Sequence, residues 1–315
     1  MALVVIRAGM LTTVQDRGRW GFQSRGVPVA GPMDPVSHRL ANALVGNEAD
    51  AATLEITLLG PELEFEDERV VAVTGALFLL TVDERPVTVS PPTAPFLVPA
   101  GGRLRFGTRQ RGARSYLAIA GGIDVPPVLG SRATHVVSAM GGFQGRPLRP
   151  NDRLPLAPAS NVRRTARPPT TRITDLPDHE ATVRVLPGPQ HDRFSRESLD
   201  ALQSAPYVIA PDSDRMGFRL RGPQLVHSKG PEIISDATSL GALQVPSGGQ
   251  PILLMADRQT TGGYPKIATA ITADLSIAAQ LAPGDSIRFI TCSPREAMKA
   301  LIAQEQALLQ VEQSS

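Results

Sequence analysis

Apolar and polar side chains alternate with period two at many places in this chain, and the pattern predicts strands that bury one face and wet the other. Glu62-Leu63-Glu64-Phe65-Glu66 is the cleanest case. Arg103-Leu104-Arg105-Phe106, Thr182-Val183-Arg184-Val185-Leu186 and Ser286-Ile287-Arg288-Phe289-Ile290 repeat it. Denser apolar runs at Val70-Val71-Ala72-Val73 and Pro251-Ile252-Leu253-Leu254-Met255 predict strands covered on both faces. Helical signals are fewer. A helix over 35–44 opens after Asp34 as its cap, carries Pro35 at its first position and has Gly46 just past its end. Residues 196–202, 274–280 and 294–311 are further helix candidates, the last with Ser293 as cap. The fold class this predicts is mainly β with a few short helices and a C-terminal helix.

The strands fall into a faint internal repeat. Val4-Val5-Ile6 followed by Gly9 parallels Val183-Arg184-Val185 followed by Gly188. Leu58-Leu59-Gly60-Pro61-Glu62-Leu63 parallels Leu220-Arg221-Gly222-Pro223-Gln224-Leu225. Gly75-Ala76-Leu77, Pro86-Val87 and Arg105-Phe106 match Gly241-Ala242-Leu243, Pro251-Ile252 and Arg288-Phe289 in the same order. Two copies of one β-rich unit follow from anchors that keep their order. The copies differ in one interval: Phe106 lies 20 residues after Pro86, whereas Phe289 lies 38 after Pro251. The second copy therefore carries an insertion, read as a loop on a rigid β scaffold, which is a common seat of function. Residues 155–181 change character, with Pro158, Pro168, Pro169 and Pro177 beside Arg163, Arg164, Arg167 and Arg172. The predicted division is 1–160 for the first β domain, 161–181 for a Pro/Arg-rich linker, 182–293 for the second β domain and 294–315 for a terminal helix and tail.

Composition narrows the class. The 32 Lys and Arg against 30 Asp and Glu leave a formal charge of +2 over 315 residues, which argues against a dedicated nucleic-acid binder. The 28 Gly and 29 Pro are spread along the chain, as many turns between short strands require. A single cysteine, Cys292, excludes disulfide scaffolds, zinc ribbons and CxxC redox motifs. Met1-Ala2-Leu3-Val4-Val5-Ile6 runs straight into Arg7 and does not read as a secretory signal. No stretch reaches the roughly 18 apolar residues of a membrane span. The expectation is a soluble cytoplasmic protein with no nucleic-acid or membrane partner.

Standard nucleotide and hydrolase motifs are missing: there is no GxxxxGK[ST], no helix-opening GxGxxG, no GxSxG and no HExxH. His38, His135, His179, His191 and His227 are scattered without metal-ligand spacing, so no metal site is expected. The strongest positive signal is Asp257-Arg258-Gln259-Thr260-Thr261-Gly262-Gly263-Tyr264-Pro265-Lys266. Gly262 and Gly263 let backbone N–H groups approach a ligand, Thr260 and Thr261 add hydroxyl donors, Gln259 and Tyr264 add an amide and a phenol, and Lys266 adds a point charge. Such a loop can hold a carboxylate, a phosphate or a developing oxyanion, with Asp257 as base or orienter. The alternative is a polar hairpin whose hydroxyls satisfy their own turn. A second constellation, Gln15-Asp16-Arg17, either binds a planar polar ligand or is a buried Asp–Arg pair holding a turn. Asp34 is explained by helix capping alone. Asp214-Arg215 repeats the Asp-Arg pairing in the second half, either as site residues or as a turn before the strand at 218–220.

At these residues the sequence resembles a known family. Thr12-Thr13-Val14-Gln15-Asp16-Arg17-Gly18-Arg19, Gly26-Val27-Pro28, Gly31-Pro32-Met33-Asp34, Asn42-Ala43-Leu44-Val45-Gly46-Asn47 and Leu54-Glu55-Ile56-Thr57 look like its N-terminal signature. Tyr116-Leu117-Ala118-Ile119-Ala120-Gly121-Gly122-Ile123, Leu129-Gly130-Ser131, Ser213-Asp214-Arg215-Met216-Gly217, Leu243-Gln244-Val245-Pro246 and the 257–266 loop continue it in order. The chain is similar to the allophanate hydrolase subunit 2 family, also called the 5-oxoprolinase C-subunit family, KipA or biotin-dependent carboxyltransferase proteins. Small departures are Ala30, where members often carry Ser, and Ala133-Thr134, where Ser-Thr is usual.

The resemblance implies two tandem cyclophilin-like β-barrel units and an obligate KipI-like partner, the 1/B-type component. In the 5-oxoprolinase relatives it also implies a LamB/YcsF-like third component. It implies hydrolysis of 5-oxoproline to glutamate driven by ATP, held at a site shared with the KipI-like partner. In the urea carboxylase relatives it implies a carboxyltransferase half that takes carboxyl from carboxybiotin. A third reading is a regulatory module that binds a KipI-like kinase inhibitor. Ala297-Met298-Lys299 lies in the terminal helix and is not a biotinylation site. On this reading Asp257, Lys266 and Asp214 are the catalytic candidates. Arg17, Arg215, Gln259, Thr260, Thr261, Gly262, Gly263 and Tyr264 hold substrate or phosphate, and Gln15, Asp16, Asp34 and Gln244 are secondary.

Overall fold

The computed structural model describes residues 1–159, 167–169, 173 and 175–314, and these pack as two units. One comprises 1–19, 30–176 and 305–315; the other comprises 20–29 and 177–304. Arg163, Arg164 and Arg172 of the Pro/Arg-rich segment lie outside the described residues. Within that segment Ile173 packs against the core of the first unit and Leu176 is buried.

The strands of the first unit are β1 (Ala2–Arg7), β2 (Leu11–Gln15), β3 (Thr53–Thr57), β4 (Glu62–Phe65), β5 (Arg69–Val82), β6 (Arg85–Pro86), β7 (Phe96–Val98), β8 (Arg103–Ile119) and β9 (Arg153–Pro155). Among the described residues they form one nine-stranded sheet in the order β2-β3-β8-β4-β1-β9, with β5 pairing β6, β7 and β8. The length of β8 explains how it has three partners. Its start pairs β4 through Leu63↔Leu104, its end pairs β3 through Leu54↔Leu117, and β5 follows it throughout, from Val82↔Leu104 to Val71↔Ile119.

Both faces of this long pair are covered. Val71, Val73, Leu117 and Ile119 enter a core with Leu3, Val5, Leu54, Ile56, Phe65 and Phe106. The alternate residues Ala72, Tyr116 and Ala118 face α1 (Pro35–Leu44) and, near the chain's end, Leu308 and Val311. Period-two geometry therefore splits one dense apolar run between two cores.

The second unit holds β10 (Glu180–Pro187), β11 (Tyr207–Ile209), β12 (Gly217–Arg221), β13 (Asp236–Ala237), β14 (Ala242–Gln244), β15 (Ile252–Leu254), β16 (Thr261–Gly262), β17 (Lys266–Ala270) and β18 (Ser286–Thr291). Seven of these close a barrel in the order β10-β17-β14-β15-β12-β11-β18, and β13 and β16 form a separate two-stranded ribbon. Helices α2 (Arg196–Ser204) and α3 (Thr272–Ala279) belong to this unit. The terminal helix α4 runs from Pro294 to Glu312.

The fold class is thus mainly β, with a closed barrel in the second unit and a partly closed sheet in the first. Two of the anchor pairs share a local structural feature as well as sequence. Gly75 and Gly241 both adopt a left-handed backbone, with φ of 79° and 80°. Gly60 and Gly222 both lie flush against an aromatic ring: an added Cβ would come within 2.2 Å of Phe106 and 2.6 Å of Tyr207. The insertion differs from its expected form. Most of it is regular structure, because β17 pairs β10 and β14 to complete the barrel and α3 follows it.

Candidate functional site

Lys266 opens β17 opposite Gln244 of β14, at a point where the register between the two strands shifts. Such irregularities re-aim side chains. Both residues are buried, at 2% and 1% exposure. The Lys266 ammonium donates to Asp236 Oδ2 at 2.7 Å and to the Ala237 carbonyl at 2.8 Å, both on β13. The Lys266 backbone N–H donates to Gln190 Oε1 at 3.1 Å. The hydrogen bond from Lys266 holds the Asp236 carboxyl below the usual carboxylate range.

Gln259 Nε2 donates to Gln244 Oε1 at 3.1 Å, while Gln244 Nε2 is buried with no hydrogen-bond partner among the described residues. Gly262 covers that nitrogen; a Cβ there would sit 2.5 Å from it. The β13·β16 ribbon is tied down by Thr238 N to the Thr260 carbonyl at 3.0 Å, Ile233 N to the Gly263 carbonyl at 2.9 Å, and the Thr238 hydroxyl to the Gln259 carbonyl. Thr261 and Tyr264 are exposed, and Thr260, Gly262 and Gly263 are half-buried. Asp236 and Gln190 escaped the sequence analysis, because neither lies in a motif and Asp236 meets Lys266 only through strand pairing.

At the loop's other end Asp257 is buried and takes a two-pronged pair from Arg215, Nε to Oδ2 and Nη2 to Oδ1, each at 2.9 Å. Asp257 N also donates to the Arg215 carbonyl at 2.9 Å. Both carboxylate oxygens are thus engaged, and the pair locks the turn before β12 to the start of the loop. Asp214 has a local role: its Oδ1 accepts from Met216 N at 2.8 Å and Gly217 N at 3.3 Å, so it caps its own turn. Arg258 is half-buried, its Nε meets the Thr238 carbonyl at 3.4 Å, and desolvation pulls its guanidinium below the ordinary arginine range.

Gln15, Asp16, Arg17 and Asp34 belong to the first unit, whereas the Lys266 group belongs to the second. Gln15 Nε2 donates to Thr13 Oγ1 and the Thr134 carbonyl. Asp16 is buried, but its carboxylate serves backbone and hydroxyl donors rather than a paired arginine: Gly18 N at 2.9 Å, Ser131 Oγ at 2.6 Å and Arg132 N. Arg17 is exposed. Asp34 caps α1 through Ser37 N at 3.0 Å and Ser37 Oγ at 2.6 Å.

Beside this cap lies a buried group that sequence reasoning missed. Tyr116 donates from its hydroxyl to Glu55 Oε2 at 2.7 Å, Met33 N donates to the same oxygen at 2.8 Å, and Asp34 N donates to the Tyr116 hydroxyl at 2.7 Å. Burial, then the charges of Glu55 and Asp34, raise the Tyr116 phenol well above its ordinary value. His38 meets Thr53 Oγ1 at 2.9 Å, and burial pushes its imidazole down to about 4. These residues stand in strands and a helix whose apolar neighbours hide them in the pattern. Elsewhere in this unit a cavity of about 1030 Å³ is lined by Arg7, Met10, Leu59, Arg105, Phe106 and Arg109, none of them a site residue expected from sequence.

A family model described as carboxyltransferase domain, subdomain A and B, matches residues 25–291. The chain belongs to the carboxyltransferase-domain family. It is 43% identical over 300 residues to the C-subunit of the Escherichia coli K12 5-oxoprolinase, covering 95% of this chain and 94% of that one. The 5-oxoprolinase C-subunit of Haemophilus influenzae is 36% identical, with 91% and 90% covered. The crystal structure of Kluyveromyces lactis urea carboxylase superposes with a TM-score of 0.89 at 33% identity, covering 98% of this chain and 29% of that much longer one.

In this carboxyltransferase-domain chain the donors around Lys266 suit one small oxygen-bearing group. Lys266 already faces Asp236, and Arg215 faces Asp257.

Proposed function

We propose that this chain is the C-subunit of an ATP-dependent 5-oxoprolinase, which opens 5-oxo-L-proline to L-glutamate as a complex. Its partners on this reading are the KipI-like 1/B-type component and the LamB/YcsF-like component. The observation that carries the reading is the 43% identity to a 5-oxoprolinase C-subunit across nearly the whole of both chains. The geometry supports it in kind. A lactam is an unreactive amide, and opening it requires donors aimed at oxygen where charge develops. Gln244 Nε2, unmet among the described residues, is such a donor, Lys266 is placed to hold the substrate's carboxylate, and the Arg215–Asp257 pair fixes the start of the loop that ends at Lys266. On this reading ATP is held at a site shared with the KipI-like partner.

The test is glutamate release from 5-oxo-L-proline with ATP by the three co-expressed components, each omitted in turn. Activity is expected only when all are present. Turnover that persists without this chain would overturn the proposal.

The fit to urea carboxylase supports a second reading, half of a biotin-dependent carboxyltransferase acting on urea or a related amide. There Lys266 and Gln244 would hold an oxygen of the carboxybiotin headgroup, which supplies an activated carboxyl for transfer. Carboxybiotin-dependent consumption of urea by a complex inert toward 5-oxoproline would select it.

A further inference from the structure

The ammonium best placed to hold a ligand oxygen is already occupied by the protein itself. Lys266 is 2% exposed, while the Asp236 side chain that pairs with it is 49% exposed. Asp236 sits on β13, which with β16 makes a ribbon of only two residues a side, outside the barrel's hydrogen-bonded circuit. Residues flanking β13 are largely exposed, Ile234 to 94%. Beneath β16 lies Gln244 Nε2, a buried donor with no partner among the described residues and one that Gly262 alone is small enough to cover. Buried amide donors are nearly always satisfied in native structures. One left unmet on the residue that lies across from Lys266 in the β14·β17 pairing marks a place where a further acceptor is received.

We propose that Asp236 is a built-in competitor for the Lys266 ammonium, and that the β13·β16 ribbon opens so that the carboxylate of a small substrate takes its place. The exchange conserves charge: one carboxylate leaves the ammonium and another arrives, so Lys266 is never left buried and unpaired, a state that is strongly unfavourable. Gln244 Nε2 is then free to donate to a second oxygen of the same molecule. The ligand class is therefore a carboxylate with a neighbouring carbonyl, which excludes neutral amides lacking the carboxylate. This rests on the 5-oxoprolinase reading for the identity of the substrate, but the latch between Asp236 and Lys266 does not.

The experiment is amide hydrogen exchange on the assembled complex, read at Ile233 and Thr238, whose N–H groups bind across to the 260–263 segment. Without ligand, Asp236→Asn should speed exchange there by at least about fivefold, the lower bound set by a partly exposed ion pair, and Asp236→Glu should restore protection. Unchanged exchange in Asp236→Asn overturns the latch. In the wild type, 5-oxo-L-proline should speed exchange at the same amides while neutral 2-pyrrolidone should not; equal responses to the two overturn the carboxylate exchange. In turnover, Asp236→Asn should lower KM for 5-oxo-L-proline several-fold with little change in kcat, and an unchanged or raised KM counts against competition. A complex with no turnover but with the ligand-free exchange difference would sink the oxoprolinase reading and keep the latch.

Discussion

His38 is the clearest case of a single side chain whose environment sets a measurable property. It lies on α1 with no exposed surface, and burial lowers its pKa from 6.5 to about 4 despite the opposing pull of Asp16, the Ala49 carbonyl and Glu55. As pH falls below 6.5 the unfolded chain takes up a proton that native His38 refuses. Its contribution to stability is therefore complete above 6.5 and is lost progressively down to about 4, amounting to about 3 kcal/mol in all. His38→Gln should flatten that part of the stability profile. Urea midpoints of both proteins between about pH 4 and 7 check this, and parallel curves would contradict it. Asp257 is the opposite kind of residue. Removing Arg215 would strand its buried charge, so Arg215→Met should destabilise the second unit by about 3–5 kcal/mol, more than Asp257→Asn paired with it in a double-mutant cycle.

Elements show where local signals sufficed. The bounds of α1 are those the sequence predicts, because Asp34, Pro35 and Gly46 act within the helix's own turns. Ser293 and Glu296 likewise form a reciprocal cap at the start of α4, with Ser293 N donating to Glu296 Oε2 at 2.7 Å and Glu296 N donating to Ser293 Oγ at 3.2 Å. The helix α3 begins at Thr272, two residues before the predicted start, with Ile271 at its N-cap and no side-chain cap bond to mark that start in the sequence. Asp274 is buried and grips Arg184 of β10 through Nε at 2.9 Å and Nη2 at 2.6 Å, a partner 90 residues away. The far end of α4 is anchored to α1 by buried Leu308 and by Arg39, which reaches Glu305 at 2.8 Å and Glu312 at 3.1 Å. Leu308→Ala should destabilise the first unit by about 2–4 kcal/mol, as loss of a buried leucine does, with urea denaturation as the readout.

At the scale of the whole molecule, the second unit closes a barrel where the first forms a nine-stranded sheet, and the proposed chemistry lies on the second unit's 257–266 loop. In the assembled complex Lys266→Met should abolish glutamate release, whereas Asp214→Asn, which keeps its turn, should stay within about twofold of wild type; equal losses would mean that Asp214 touches substrate. The sequence by itself determined the mainly-β class, three of the helices closely and the loop rich in donors. Each of these is written in neighbouring residues, as alternation, caps, glycines or a dense run of polar groups. Only the tertiary structure decided that the insertion completes a barrel, that Asp16 ties down the loop at 131–132, and that Glu55, Tyr116 and His38 form a buried polar group. It also decided that Lys266 meets Asp236 and that the Gln244 amide nitrogen has no partner among the described residues. Those facts depend on pairing between strands tens of residues apart, and period-two alternation says which face a side chain takes but not which strand will lie across from it.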